Sequence, residues 1–305
     1  MNRDAAMRWA WAALFLLLAA AAVAFNMHSR RILVVHEGPA GSAYAQALGR
    51  GLDAVLRPAA RLKVRHQYMG FAADACPGIL AQMKAFDPGT VIAEGPGARA
   101  CVRSATAPAA PPVVVYQPAL PAQAEARARY AGAWQRLLQD LAPAGGTLLV
   151  LRGAQDQAEY DTLAEAARGA GLRVQAWTDD GTLPPALAQP GAPGAVALTH
   201  HAGQGWPDPQ GAPQGGLLRA LRAATSAPLV STRLESLALG ADLALAQAPE
   251  QRGEMLAQAA LAGLAEPGLD SPYEMAVGMR QDFAQRQTLP PFYALSARMA
   301  GFLVE

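Results

Sequence analysis

The sequence predicts an α/β fold made of two doubly wound, parallel-sheet lobes with a cleft between them, preceded by an N-terminal apolar helix. Three observations predict it. Short β-branched runs alternate with alanine-rich stretches from residue 31 onward, which indicates a parallel sheet covered by helices on both faces. The alternation restarts after a Gly145-Gly146 break. The length of 305 residues also exceeds what one hydrophobic core usually supports.

The first unit begins with a strand over 31–37, whose sequence RILVVHE has the unbroken apolar run of a buried strand. A helix over 42–56 follows, and Ser42 is its expected N-cap residue. The other predicted strands of this unit are 61–69, 89–95 and 111–118. Its other predicted helices are about 76–86 and 98–105.

The second unit opens with a long helix over 125–141. Its predicted strands are 146–153, 172–180, 194–201 and 227–233. Its predicted helices are about 157–169, 215–225 and 249–265. The predicted first lobe is 31–120 with a return segment of about 240–268, and the second is 121–239 with a C-terminal segment of about 269–305. Small molecules bind at the carboxyl ends of the strands in such sheets, so the cleft is the expected site.

Residues 1–30 are predicted to be a signal peptide or a membrane anchor rather than part of the fold. Arg3 and Arg8 precede an unbroken apolar run over 9–25, which as a helix would rise roughly 26 Å. The run ends in Ala22-Val23-Ala24, a pattern that a signal peptidase cuts. Cleavage and retention both remain open, and both place the rest of the chain in the periplasm.

Net charge and the absence of particular motifs argue against several classes of function. The formal net charge of +1 provides no electrostatic footprint for nucleic acid. Lys63 and Lys84 are the chain's two lysines, and neither ends a phosphate-binding P-loop. The run 95–100, GPGARA, imitates a dinucleotide-binding motif but follows the third strand instead of the first. We interpret it as a tight turn at the cleft, whose amides favour an anion, and we predict no cofactor.

Metal binding and catalysis are also not predicted. His200 and His201 end a strand, but adjacent strand residues face opposite sides, so at most one of them points into a given site. Zinc needs three or four such ligands. The chain has no G-x-S-x-G nucleophile elbow. We therefore predict no catalytic residue, no metal ligand and no enzymatic activity.

Three stretches carry a resemblance to a known family: ILVVHEG with YAQALGRGLDAVL, then 89–119, and then 227–266. They resemble ABC transporter substrate-binding proteins of the tryptophan-type and uncharacterised group, which have the type 1 periplasmic-binding fold. The resemblance implies a periplasmic protein that binds a small organic ligand between two lobes and serves an inner-membrane ABC permease. The short stretch after Tyr116-Gln117 and the run 280–282 depart from the family pattern, so ligand identity does not carry over.

The expected ligand contacts lie at strand ends and in the following loops of both lobes. In the first lobe they are His36, Glu37, Ser42, Tyr44, Phe71, Glu94, Gly95 and Gln117. In the second lobe they are Arg152, Trp177, His200, His201, Thr232 and Arg233. Arg233 with Glu235 is either a surface ion pair or a ligand clamp. The alternative function is a membrane-anchored sensory or adaptor module, held by an uncleaved N-terminal helix, that binds a partner protein.

The chain contains two cysteines, Cys76 and Cys101. In a parallel sheet ordered 2-1-3-4, right-handed crossovers place their two helices side by side on one face. An oxidising compartment would then favour a disulfide between them. The alternative is a pair of separately buried thiols, since free cysteine is a common small core residue.

Overall fold

The computed structural model describes residues 11, 14–18, 30–70, 73–105, 112–118, 120–121, 123–188, 193–203, 206, 214–267, 273–287 and 289–304. Within them the chain forms one sheet of four strands and one of seven, each flanked by helices. The predicted α/β class with two lobes is confirmed.

The first lobe is a parallel sheet in the order β2-β1-β3-β4. Its strands are β1 Arg30–His36, β2 Leu62–Tyr68, β3 Thr90–Ala93 and β4 Val113–Val115. Its helices are α1 Ala43–Leu56, α2 Cys76–Phe86 and α3 Pro96–Arg103. The central strand β1 is buried over its last five residues, whereas the edge strand β2 is half-exposed, because β2 has a neighbour on one side alone. Ser42 caps α1 as predicted, accepting a hydrogen bond from the amide of Ala45 at 3.1 Å.

The second lobe is a sheet in the order β11-β10-β9-β8-β7-β5-β6. Its strands are β5 Thr147–Arg152, β6 Arg173–Thr178, β7 Ala195–Leu198, β8 Leu229–Ser231, β9 Leu243–Gln247, β10 Met275–Arg280 and β11 Leu303–Val304. The remaining helices are α4 Ala124–Leu141, α5 Gln157–Gly169, α6 Gly215–Ala224, α7 Pro249–Ala262, α8 Gln281–Arg286 and α9 Pro291–Met299. Short 3₁₀ turns cover Ala73–Ala75, Pro185–Ala188 and Leu234–Leu239.

The last third of the chain differs from the sequence prediction in two ways. The predicted return segment, 240–268, divides between the lobes: β9 joins the second sheet, and α7 packs on α1 of the first lobe. Strand β10 also runs antiparallel to β9 within an otherwise parallel sheet. The reason is topological. The chain leaves β9 at the cleft edge, passes through α7 in the first lobe, and returns at the same edge, so β10 starts where β9 ends.

A disulfide links Cys76 to Cys101, with their Cα atoms 5.6 Å apart. It joins the start of α2 to α3, the helices that the 2-1-3-4 strand order places side by side. On the chain-entropy model, closing a loop of this length stabilises the lobe by about 3 kcal/mol.

Most of the predicted signal peptide or anchor, 1–30, lies outside the described residues. Trp11 and residues 14–18 are helical and exposed. Among the described residues, no helix combines the length and the apolar character that crossing a membrane requires.

Candidate functional site

A small cavity of about 20 Å³ lies between the lobes, beside the carboxyl ends of β8 and β9. It is lined by Tyr44, Tyr130, His200, Thr232, Arg233, Glu235, Ala246, Gln247 and Arg252. Both lobes contribute, since Tyr44 lies on α1 and His200 follows β7. A space of this size holds about one water molecule, so the lobes are closed on each other.

An ion pair crosses the cleft. Arg233, which follows β8, places an Nη2 atom 3.4 Å from Oε1 of Glu37, which follows β1. Both side chains are almost completely buried. A second carboxylate, that of Glu235, lies 3.8 Å from the same guanidinium. Burial alone lowers the pKa of Arg233, but these two carboxylates outweigh burial and raise it above its usual value. Of the two alternatives for Arg233 with Glu235, a surface ion pair or a ligand clamp, the surface pair is wrong because both side chains are buried, and the clamp stays a prediction.

The second carboxylate oxygen of Glu37 binds the glycine turn that precedes α3. The amide of Gly97 donates to Oε2 of Glu37 at 3.0 Å, at a helix N-terminus that favours negative charge. A Cβ atom on Gly95 would lie 2.0 Å from the same carboxylate oxygen, so any other residue there would displace the Glu37 carboxylate. We expected the amides of this turn to donate to an anionic ligand. The Gly97 amide donates instead to a carboxylate of the protein itself.

Arg252 enters the cleft from α7. Its Nη2 atom donates to the backbone carbonyls of Glu94, at 3.1 Å, and Gln117, at 2.8 Å. Its buried Nε atom has no hydrogen-bond partner among the described residues. Burial lowers the pKa of this guanidinium, whereas Tyr44 and Glu94 raise it, and the net change is upward.

On the second lobe, a buried carboxyl group lies behind the cavity wall. Glu159 on α5 accepts hydrogen bonds from the Tyr130 hydroxyl at 3.1 Å and from the backbone amide of His200 at 2.9 Å. Burial, with a smaller contribution from the charge of Asp156, raises the pKa of Glu159 to about 7. Burial also lowers the pKa of His200 well below its usual value, so this imidazole is neutral. Both of its ring nitrogens lack a partner among the described residues.

His201 contacts the His200 ring edge-to-face, with ring centroids 5.0 Å apart, and binds Asp156. Its Nδ1 atom and its backbone amide both contact the Asp156 carboxylate. Burial raises the pKa of Asp156, but the hydrogen bonds from His201 and Thr199 outweigh burial and lower it. Asp156 also lies within hydrogen-bond distance of the Gly153 amide, at 3.3 Å. His201 is therefore fixed by the start of α5, outside the set of cavity-lining residues.

The structure brings together part of the predicted contact set. Four of its members line the cavity: Tyr44, His200, Thr232 and Arg233. Three more bind those residues or Arg252: Glu37 pairs with Arg233, and the carbonyls of Glu94 and Gln117 accept from Arg252. Gly95 lies against the Glu37 side chain. They meet because the carboxyl ends of the parallel strands in both lobes face the same cleft.

The other predicted contacts have different roles, or lie outside the described residues. His36 is completely buried against β2, where its ring stacks on Tyr68 with ring centroids 4.4 Å apart. Ser42 is the N-cap of α1. Arg152 donates to Thr178 at 3.2 Å, on the edge formed by β5 and β6. Trp177 packs against a core of the second lobe. Phe71 lies outside the described residues.

Sequence reasoning missed five cavity-lining residues, although it considered Glu235 as the partner of Arg233: Tyr130, Glu235, Ala246, Gln247 and Arg252. Gln247 ends β9, so its position at a strand end was the signal that could have identified it. Arg252 lies within helix α7, PEQRGEMLAQAALA, where it is the one basic residue. Its burial depends on which face of α7 turns toward the cleft, and the local sequence does not determine that.

Comparisons with known proteins agree with this architecture. No protein-family model matches the chain, and no curated protein matches it significantly. An ABC domain of Streptococcus pneumoniae, solved in complex with L-Trp, is similar with a TM-score of 0.57 and 14% identity, covering 88% of this chain and 98% of that chain. A conserved domain protein from Vibrio cholerae O1 biovar El Tor has a TM-score of 0.55 with the same identity and the same coverage. This likeness, over nearly the whole length of both relatives, shows that the chain has the type 1 periplasmic-binding fold.

Proposed function

We propose that the protein is the solute-binding component of an ABC-type transport system, and that it binds a small organic ligand between its two lobes. The observation that carries the proposal is the interlobe cavity. Its wall contains buried polar atoms without partners among the described residues: the ring nitrogens of His200, Oε1 of Gln247 and Nε of Arg252. Buried polar groups normally have hydrogen-bond partners, so a wall of this kind fits a polar ligand.

Ligand entry requires the lobes to separate, because a space of about 20 Å³ holds only about one water molecule. Two-lobed proteins of this kind close around ligands by hinge motion. The S. pneumoniae relative was solved with L-Trp, which supports a small-molecule ligand here. Binding without catalysis fits this site, because its charged groups are engaged with one another or with backbone carbonyls.

The location that we propose is outside the cytoplasm, with delivery of the ligand to an inner-membrane permease. The disulfide between Cys76 and Cys101 supports an oxidising compartment. The exposed apolar side chains of residues 14–18 support a membrane-directed N-terminal segment. Intact-mass measurement of the mature protein separates a chain that begins at Phe25 from one that begins at Met1.

One observation favours the alternative, an anchored adaptor that binds a partner protein. Helix α9 presents three large apolar side chains, Phe292, Leu295 and Met299, each more than half exposed. Their spacing of three and four residues places them on one face of the helix. A surface of this type is typical of protein contacts.

The test is a ligand screen on the full chain. Amino acids, aromatic acids and sugars are added singly, and the melting temperature and amide hydrogen exchange of each mixture are measured. A true ligand raises the melting temperature by mass action and slows exchange in the cleft segments 36–44 and 231–236. A ligand that stabilises the protein without slowing exchange there contradicts closure, and a screen without any ligand favours the adaptor.

A further inference from the structure

A larger groove lies where the chain crosses between the lobes. Its volume is about 570 Å³, and it shares no lining residue with the interlobe cavity among the described residues. One wall comes from α1 and α7 of the first lobe, and the other from β10, the end of α9 and Phe302 of the second. Ala248 and Glu274 line it on the two crossing segments, where the Ala248 amide donates to the Glu274 carbonyl at 2.9 Å. Anything bound in this α7–α9 groove therefore contacts both lobes.

The floor of the α7–α9 groove is apolar, and the apolar surface continues onto α9. Ala276 and Phe302 are buried at the floor. Met299, at the rim, is 80% exposed. It lies on the same face of α9 as the exposed side chains of Leu295 and Phe292. Exposed apolar surface of this kind is typical of contact sites, so the groove can accept a row of apolar side chains.

The rim of the α7–α9 groove is acidic. Glu250, Glu254 and Glu274 line it, and Arg50 is the one basic residue among the described residues that do so. Arg50 pairs with Glu250 at 3.3 Å, whereas Glu254 and Glu274 have no cation within ion-pair distance among the described residues. Arg298 on α9 is exposed but is not one of the lining residues. The groove thus presents two uncompensated carboxylates beside an apolar floor.

We propose that the α7–α9 groove binds an amphipathic helix of a partner protein, whose apolar row is flanked by lysine or arginine. Such a helix binds a groove through apolar side chains three and four residues apart, and its basic flanks complement the carboxylates of Glu254 and Glu274. The inference deepens the adaptor alternative, on which it rests, by naming a site and the chemistry of the partner. It requires no ligand in the cleft.

Charge and strand length disfavour other occupants of the groove. A symmetric contact between two copies of the chain would bring two acidic rims together. An anionic membrane surface would be repelled in the same way. Strand addition requires a free sheet edge of some length, but β11, which follows Phe302 at the edge of the second sheet, has only two residues. A basic helix is the occupant that fits both the floor and the rim.

A synthetic peptide of leucine and lysine, about 18 residues long with its leucines on one helical face, is the probe of this site. A second peptide carries glutamate in place of each lysine. Fluorescence anisotropy measures the binding of each labelled peptide to the full chain. We expect the lysine peptide alone to bind, with an affinity that falls as salt is added. It should also slow amide exchange in 274–276 and 291–302.

Matched variants locate the bound peptide. Glu254→Gln combined with Glu274→Gln should weaken binding of the lysine peptide about fivefold, whereas Glu165→Gln, which changes an exposed carboxylate on α5, should not weaken it. Leu295→Ser should weaken binding about tenfold. Its control is Leu264→Ser, because Leu264 is also exposed but follows the far end of α7.

Three results would overturn the inference: no binding of the lysine peptide, equal binding of the two peptides, or equal affinities in the groove variants and their controls. A wild-type dimer in sedimentation velocity that Leu295→Ser dissociates would also overturn it, because a second copy would then cover this face. The ligand screen fails separately. A screen without any ligand leaves peptide binding in the groove intact, whereas a true ligand without peptide binding supports transport and removes the groove.

Discussion

Glu159 shows what a single buried residue contributes to the second lobe. Its carboxyl group is enclosed by Tyr130 and the start of the loop after β7, without a cation in contact among the described residues. Burial favours the uncharged form, so its pKa rises to about 7. The protein thus contains an acid that changes charge near neutral pH, directly behind the cavity wall.

The stability of the fold should therefore depend on pH through Glu159. The folded pKa, about 7, exceeds the ordinary value of 4.5, so the folded state binds more protons between those values. The resulting stabilisation is present below about pH 4.5 and disappears as the pH rises through 7. It amounts to something on the order of 3 kcal/mol.

Glu159→Gln removes this titration. In urea unfolding at pH 5, 6, 7 and 8, we expect the wild type to lose stability relative to Glu159→Gln as the pH rises. Other groups titrate equally in both proteins, so the difference between the two curves isolates Glu159. Parallel curves would show that the buried carboxyl group keeps an ordinary pKa.

At the scale of elements, the contact between α1 and α7 joins the first unit of the chain to its return segment. Gly51 on α1 and Gly253 on α7 allow the two backbones to approach closely. A Cβ atom on Gly51 would lie 1.8 Å from the backbone oxygen of Glu250, and one on Gly253 would lie 2.3 Å from that of Leu48. Glycine is required here by the neighbouring helix rather than by backbone conformation.

The variant Gly51→Ala should separate these helices. Backbone atoms cannot move aside as a side chain can, so we expect a loss of about 1–3 kcal/mol in the free energy of unfolding. The matched control is Gly49→Ala in the same helix, where a Cβ atom would meet nothing within 4 Å. The control should gain about 0.5–1 kcal/mol from helix propensity. Urea unfolding measures both, and a neutral Gly51→Ala would contradict the close approach.

At the scale of the whole molecule, the pair Glu37–Arg233 holds the two lobes together. Glu37 is bound to the N-terminus of α3 in the first lobe, and Arg233 extends from β8 in the second. The pair is buried, so losing one partner leaves the other without compensation. Closure of this protein therefore depends on charge balance as well as on apolar contact.

The variant Arg233→Met should shift the molecule toward the open form. It leaves Glu37, Glu94 and Glu235 close together without the cation that all three face, and opening lets water solvate them. We expect the closed form to lose about 3 kcal/mol, or roughly a hundredfold in population. Faster amide exchange in 36–44 and 231–236 would report it.

The control is Arg222→Met, which breaks a pair with Asp242 that spans 2.6 Å within the second lobe. This variant should lower stability without exposing the cleft segments. If exchange in the cleft rises equally in both variants, or in neither, the interlobe pair does not control closure.

The sequence by itself determined the elements, their order and the class of fold. Apolar periodicity and capping act within about ten residues, so β1, the Ser42 cap and α5, predicted over 157–169, follow from local pattern. The strand ends predicted the cleft, and with it Tyr44, His200, Thr232 and Arg233. The path of the chain after β9 could not be predicted from such local signals.

Tertiary structure alone decided which groups meet in the cleft. Glu37 and Arg233 are 196 residues apart, and Arg252 and Gln117 are 135 apart, so no local pattern links them. Their contacts depend on how the lobes close and on which face of α7 turns inward. The direction of β10 was decided in the same way, by the edge at which the chain re-enters the second lobe. These features arise from packing between distant segments, where the free energy of burying charge selects one arrangement.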